Sequence, residues 1–403
     1  MKTAAVIAEY NPFHKGHEYQ LRRIRDDSGA DFILVIMSGD FVQRGAPAVI
    51  DKYQRTKSAL LGGADLVLEL PAAAALGSAG DFAKTAVGIL DGLGVVDELW
   101  FGSETGDLEQ LQAAAAVIAG EPEPYGAVLR ESLAKGYSYP AAQSRAAEAV
   151  LEKTGSRAFC PDSVLRSPND LLATAYLASM IRSGSRIRPR VLKRRGGAYH
   201  SRISSESGWS AESVRSELSR GRFSRAFRSL PEYSGILLQE EADRNRLLFP
   251  DDFSDMVLYK IRTADPESIA GCAGVTDDLV NRMKKNCYSC QTVSAFADAL
   301  KTKNLTRTRI DRALFSVLLG IRKGDAGITA QADRVRVLGF RPGAERLIGE
   351  AARSGRTVPV IGAKNMPEWY GTDVLASNLC EAFRSKKGGA KFHHEFTKNV
   401  VKL

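Results

Sequence analysis

The chain has 403 residues, of which 44% are hydrophobic and 26% charged, an ordinary globular composition with room for two or three domains. No run approaches 18 uncharged apolar residues, so no membrane span is expected, and five cysteines over this length do not make a disulfide framework. The net charge of +9 is uneven, because residues 228–403 hold 28 Lys and Arg against 21 Asp and Glu. That surplus points to a polyanionic partner such as a nucleic-acid backbone, with solubility charge as the equal alternative.

At the N-terminus, Glu9 interrupts the apolar run too early for a signal peptide, and a cytoplasmic location is expected. Short β-branched runs then alternate with helical patterns. Strands are predicted over residues 3–8, 31–37, 65–70 and 96–101, and helices over 16–25, 51–61 and 81–93, with Asp51 as an N-cap. Near-continuous apolar strands separated by helices indicate an α/β fold with a parallel sheet covered on both faces. Ligands of such sheets sit at the carboxyl ends of the strands, so residues 8–17, 38–45 and 102–104 should share one crevice. Residues 108–180 read as helical and alanine-rich, and 186–192 as one more strand. Beyond about residue 225 helical periodicity dominates, with strand candidates only at 334–338 and 357–361. The expected organisation is a nucleotide-binding domain over 1–225 and a mainly α-helical, basic domain over 226–403, closing with a small α/β element.

Two of the five histidines, His14 and His17, lie three residues apart where the first strand gives way to a helix. Gly16 lets the backbone approach a ligand, and the unpaired N–H groups of a helix start form an anion site. Residues three apart share a helix face, so both imidazoles can reach one triphosphate. Attack on an α-phosphate needs donors that meet the charge on the oxygens as pyrophosphate leaves, and no covalent intermediate is required. Imidazole donates from Nε2 and can gain charge near neutral pH. His14 and His17 are therefore the catalytic candidates. Pro12 and Phe13 are expected to fix the turn and pack under the nucleotide.

The run Ala8-Glu9-Tyr10-Asn11-Pro12-Phe13-His14-Lys15-Gly16-His17 resembles the opening of the HIGH-motif nucleotidyltransferases. Further blocks narrow the resemblance to the bacterial tRNA(Met) cytidine acetate ligases. These are Met37-Ser38-Gly39-Asp40-Phe41-Val42-Gln43-Arg44-Gly45, Ile50-Asp51-Lys52, Asp65-Leu66-Val67-Leu68-Glu69-Leu70-Pro71 and Phe101-Gly102-Ser103-Glu104. Ser167-Pro168-Asn169-Asp170, Lys193-Arg194-Arg195-Gly196 and Tyr199-His200 complete the set. The resemblance implies a Rossmann-like fold and a two-step reaction. ATP and acetate give acetyl-adenylate, and the acetyl group passes to the wobble cytidine of elongator tRNA(Met), forming N4-acetylcytidine. ATP, with Mg²⁺ accompanying it, is then a substrate, and no protein-held metal is expected. The ATP contacts so implied are Ile7, Ala8, Glu9, Tyr10, Asn11, Pro12, Phe13, His14, Lys15, Gly16, His17, Gln20, Gly102, Asn169 and Arg194. Asp40 and Asp170 depart from the family pattern, in which Asn is expected, and a carboxylate beside a triphosphate repels it unless it binds Mg²⁺ or points away.

Ser210-Ala211-Glu212-Ser213-Val214-Arg215 resembles the superfamily's second signature, in which Ser210 and Arg215 hold phosphates; an ordinary N-cap at Ser210 is the alternative. Arg44, with Ser38, is a candidate for acetate or a phosphate, and a structural pair of Arg44 with Asp40 or Asp51 is the alternative. Glu104 either meets the ribose or caps a helix. Residues 182–202 carry eight basic side chains and no acidic one. Arg188, Arg190, Lys193 and Arg195 in this stretch are tRNA-binding candidates, and Arg307 and Arg309 are weaker ones. Cys287-Tyr288-Ser289-Cys290 lacks two further ligands for zinc.

Two other functions remain open. A small-molecule adenylyltransferase of the mononucleotide or phosphopantetheine type leaves about 180 residues unexplained. A non-catalytic RNA-binding protein has no need of both imidazoles. An aminoacyl-tRNA synthetase is disfavoured, since no KMSKS-like lysine loop is present.

Overall fold

The computed structural model describes residues 1–153, 165, 167–194 and 210–403. Ten strands occur among these: β1 (Thr3–Ala8), β2 (Phe32–Ser38), β3 (Phe41–Val42), β4 (Ala46–Pro47), β5 (Leu66–Leu70), β6 (Glu98–Ser103), β7 (Arg188–Lys193), β8 (Arg334–Phe340), β9 (Val358–Val360) and β10 (Val401–Lys402). Eight form one sheet in the order β10-β8-β5-β2-β1-β6-β7, with β9 beside β8, and β3 and β4 form a small antiparallel hairpin. All neighbours in the sheet are parallel except β5 and β8. The central strands are apolar along their whole length because helices cover both faces. On one face Leu34, Ile36, Leu68 and Leu99 pack against the helix Ala79–Leu93 through Phe82, Val87 and Leu90. On the other, Val6, Val35 and Val67 meet α1 (Lys15–Ser28) and α2 (Lys52–Leu61) through Leu21, Ile24 and Leu60.

The chain runs from β1 outward to β2 and β5, then returns to place β6 on the other side of β1. The strand order reverses beside β1, and a crevice opens at such a point. The register aligns Ala8 with Met37 and Ser103 with Lys193, so the loops after β1, β2, β6 and β7 leave from the same edge.

Residues 244–330 build a second core of short helices around Phe253, Ile261, Met283, Phe296, Leu314 and Phe315. Phe41 of the β3–β4 hairpin inserts into it, 5.3 Å from Phe315 and 5.8 Å from Phe253 between ring centroids. The hairpin is held close by Gly45, whose φ of +74° and whose missing side chain both matter. A Cβ there would lie 2.4 Å from the backbone N of Arg312. The α/β element expected at the end of the chain does not stand apart. β8 pairs antiparallel with β5 and β10 pairs with β8, so the chain from Arg334 onward extends the main sheet.

Candidate active site

The first turn of α1 is capped by the histidines themselves. His14 is the N-cap residue, and its Nδ1 accepts from the Gly16 N–H at 3.0 Å. His17 is the third helical residue, and its Nδ1 accepts from the His14 N–H at 3.2 Å. This is a reciprocal capping box with imidazoles in place of Ser and Glu. The spacing of three therefore does more than share a face: it stacks the rings, with centroids 3.7 Å apart and planes 21° apart. Because both Nδ1 atoms are acceptors, the proton of each neutral ring sits on Nε2. Two N–H donors then come from adjacent rings at one helix mouth.

Electrostatics keep the rings neutral. Burial, then the Arg194 and Arg215 guanidinium charges, push the His14 pKa down to about 3. Burial, a charge on His14 and the charge of Arg194 push His17 well below its usual value. Near neutral pH both rings are therefore neutral donors. Arg194 follows β7, donates its backbone N–H to Ser103 O at 2.9 Å, and lays its methylenes over Gly102, where a Cβ would stand 3.4 Å from Cγ. Arg215 donates from Nη1 to Asn11 O at 2.7 Å. The crevice therefore joins His14, His17, Gly102, Arg194 and Arg215, which are scattered over two hundred residues.

The residues between strand and helix are packed into the interior. Tyr10, Asn11, Pro12 and Phe13 are buried, and Tyr10 adopts a φ of +48°. The Tyr10 ring lies 4.9 Å from Phe13 and 4.8 Å from His17, and Phe13 lies 5.6 Å from His17. Phe13 is fully buried, packed beside the His17 ring and 6.3 Å from the Tyr233 ring between centroids. Ile7, Ala8 and Gln20 are partly exposed around the same turn. Lys15 turns its Nζ to Arg228 O at 2.9 Å, fastening α1 to the following segment. Glu9 accepts from the Gln43 N–H at 2.8 Å and so ties β1 to the β3–β4 hairpin.

Both carboxylates that depart from the family pattern are turned into the protein. Asp170, fully buried, accepts from Ser103 Oγ and from the Glu104 N–H at 3.0 Å. Burial and the nearby Glu104 raise its pKa. Glu104 in turn accepts from Asn169 Nδ2 and from the Asp170 N–H at 3.2 Å, so it caps the helix Pro168–Ser183 and occupies the Asn169 amide. Asp40 pairs with Arg384 at 3.4 Å; burial alone would raise its pKa, but the charges of Arg384, Lys52 and Arg55 hold it low.

Ser210 is an N-cap, accepting from the Ser213 N–H at 3.2 Å. Arg44 faces Glu212 on that helix at 3.9 Å; the alternatives Asp40 and Asp51 instead bind Arg384 and the Gln54 N–H. Ser38 is fully buried, and its Oγ has no hydrogen-bond partner among the described residues. On the edge strand β7, Arg188 and Arg190 reach Glu98 at 3.4 and 3.2 Å, a buried carboxylate that also meets Lys2 at 3.3 Å. Lys193 is exposed on the same strand, and Arg195, Tyr199 and His200 lie outside the described residues. Arg307 is engaged by Asp298 at 2.6 Å and Asp311 at 2.9 Å, whereas Arg309 is partly exposed beside it. Cys287 and Cys290 are free thiols.

One residue that the sequence did not single out organises the crevice floor. Arg55, fully buried on α2, donates to Glu9 O at 2.8 Å, Ser38 O at 2.9 Å and Gly39 O, gathering the ends of β1 and β2. Beside it Lys52, also fully buried, bonds Glu69 at 2.8 Å and Glu395 at 2.9 Å. The single clue to this network is Glu69 inside an otherwise apolar strand.

A Rossmann-like sheet with paired imidazole donors at its switch point defines a nucleotide-handling α/β enzyme. The family model described as HIGH Nucleotidyl Transferase matches residues 1–393. The tRNA(Met) cytidine acetate ligase of Acetivibrio thermocellus is 34% identical over all of both chains, and that of Thermoanaerobacter pseudethanolicus 33% identical over 90% of this chain and 88% of its own. Thermotoga maritima TmcAL bound with alpha-thio ATP superposes with a TM-score of 0.91 at 31% identity over all of both chains. The chain belongs to the HIGH nucleotidyltransferase family and, within it, to the tRNA(Met) cytidine acetate ligases, and it is an ATP-dependent ligase.

Proposed function

We propose that the protein activates acetate with ATP and transfers the acetyl group to the wobble cytidine of elongator tRNA(Met). An acetate oxygen attacks the α-phosphorus, the bond to the β-phosphate oxygen breaks, and pyrophosphate leaves. The exocyclic amine of the cytidine then attacks the acetyl carbonyl of the adenylate, AMP leaves, and N4-acetylcytidine results. The observation that carries this reading is the stacked His14–His17 pair at the mouth of α1, in a chain that matches tRNA(Met) cytidine acetate ligases end to end. Charge grows on the oxygens around the α-phosphorus, and two fixed Nε2–H donors meet it without reorganising. Arg194 and Arg215, whose charges both act on His14, supply permanent charge to the phosphates, with Mg²⁺ entering as part of the ATP substrate. Ser210 holds the outer phosphates at its helix start. For acetate, Arg44 is the better placed candidate, because Ser38 is closed off from solvent.

The tRNA backbone is assigned to β7 and the adjoining crevice rim, with Lys193 and Arg195 as its principal cations and Arg188, Arg190 and Arg309 as further contacts. We keep the boundary near residue 225 between the nucleotide-binding and the mainly helical parts. No helix among the described residues is long and apolar enough to cross a membrane, and we place the enzyme in the cytoplasm with its tRNA. The test is ATP–pyrophosphate exchange with a panel of small carboxylic acids. Exchange stimulated by acetate alone is the expected result, and exchange with a nucleotide or phosphopantetheine acceptor instead would favour a small-molecule adenylyltransferase.

A further inference from the structure

Among the described residues, the two most exposed aromatic side chains are Tyr288, at 76%, and Tyr259, at 67%. Singly, exposed tyrosines need no explanation. These two are joined by an arginine. Tyr259 and Arg262 are three apart on the helix Ser254–Thr263 and share a face. The Arg262 guanidinium stands 5.3 Å from the Tyr288 ring centroid. It is fixed there by hydrogen bonds from Nε and Nη2 to Cys287 O at 3.0 and 2.8 Å and from Nη2 to Cys290 O at 3.4 Å. Lys284 Nζ donates to Ile261 O at 2.8 Å and to Ala264 O, clamping the end of one helix to the next. A planar cation is thus held rigidly over the Tyr288 ring at the surface, with Tyr259 on the same helix face as Arg262.

The surrounding charge is mainly positive, with Arg282 paired to Asp278 at 3.6 Å. Residues 256–264 and 279–290 contain Lys260, Arg262, Arg282, Lys284 and Lys285 and no Asp or Glu. The nearest carboxylates in sequence, Asp255, Asp265, Asp277 and Asp278, lie at the starts of their helices, while the lysines and Arg262 lie in last turns. Lys260 and Lys285 are exposed. Aromatic and guanidinium planes ringed by ammonium groups suit nucleotides whose bases are unpaired, since a base inside a duplex offers no free face. A protein partner would need a continuous apolar surface, and here only Met256 adds to the tyrosines.

We propose that the Tyr259–Arg262–Tyr288 face of the helical part is a stacking platform for unpaired bases of an RNA strand, gripping loop nucleotides away from the reaction centre. It rests on the proposed function in taking tRNA as the substrate. The test measures binding of a fluorescent oligocytidylate, of tRNA(Met) and of an RNA duplex to the full chain at several salt concentrations. Tyr259→Ala and Tyr288→Ala should each weaken oligocytidylate and tRNA binding by about tenfold. The salt slope should not change, because stacking releases no counterions. Tyr259→Phe and Tyr288→Phe should bind as wild type, and duplex binding should not respond to any of the four changes. Alanine variants with wild-type affinity, phenylalanine variants as weak as the alanine ones, or alanine variants that alter only self-association would overturn the platform. Acetate-dependent pyrophosphate exchange without RNA reports folding of each variant and judges the proposed function separately. If wild type exchanges and the alanine variants bind RNA normally, the platform alone is wrong; if wild type shows no exchange, the function is wrong.

Discussion

His14 and His17 lie ring on ring, and each spends its Nδ1 on a backbone N–H of the helix start they share. The same two hydrogen bonds that cap α1 fix the tautomers, so the helix start and the candidate donors are one structure.

Because the His14 pKa falls from about 6.5 to about 3 on folding, the unfolded chain binds protons first as the pH drops. Stability is therefore full above about pH 6.5 and is lost progressively below it. His14→Asn keeps a good N-cap and removes the ionisable ring. At pH 5 it should lessen the acid-induced loss by about 2 kcal/mol. Thermal melts at pH 7.5 and pH 5 check this, and an undiminished gap in the variant would assign the acid sensitivity elsewhere.

Lys52→Met leaves Glu69 and Glu395 facing each other without their shared cation. Breaking a buried pair in this way costs about 3–5 kcal/mol, and urea unfolding should show it. Adding Glu395→Gln to the variant should recover part of the loss. A single variant within about 1 kcal/mol of wild type would mean that the pair relaxes into solvent.

Gly45→Ala places a side chain against Arg312 at a positive φ. It should cost about 1–3 kcal/mol and displace the hairpin that carries Arg44. Melting temperature and acetate KM measured together separate strain from a role of Arg44 in acetate binding. A normal melting temperature would show that the hairpin can shift.

Lys193→Ala should lower tRNA affinity and reduce the slope of log K against log salt by about one, the signature of a lost phosphate contact. Arg188→Ala should do less, because its charge is shared with Glu98. Equal slopes in wild type and Lys193→Ala would remove β7 from the tRNA path.

The sheet was legible where its signals are local. Residues 3–8 form β1 as read, and Asp51 caps α2 through the Gln54 N–H. The catalytic candidates were legible too, since a histidine pair after the first apolar strand has few other uses. Long-range partners were not. Nothing local says that β8 will pair with β5, that Asp40 will meet Arg384, or that Arg55 will collect three carbonyls from two strands. The capping role of the histidines was also hidden: a spacing of three reads as a shared face, whereas N-cap geometry turns it into a stacked pair.

The most direct measurement is acetate-dependent ATP–pyrophosphate exchange by His17→Ala and His14→Ala, each compared with wild type and checked for folding by circular dichroism. Removal of one donor should slow exchange by about 10²–10³-fold with the fold retained. Exchange at the wild-type rate in either folded variant would contradict the assignment of the stacked pair to the α-phosphate.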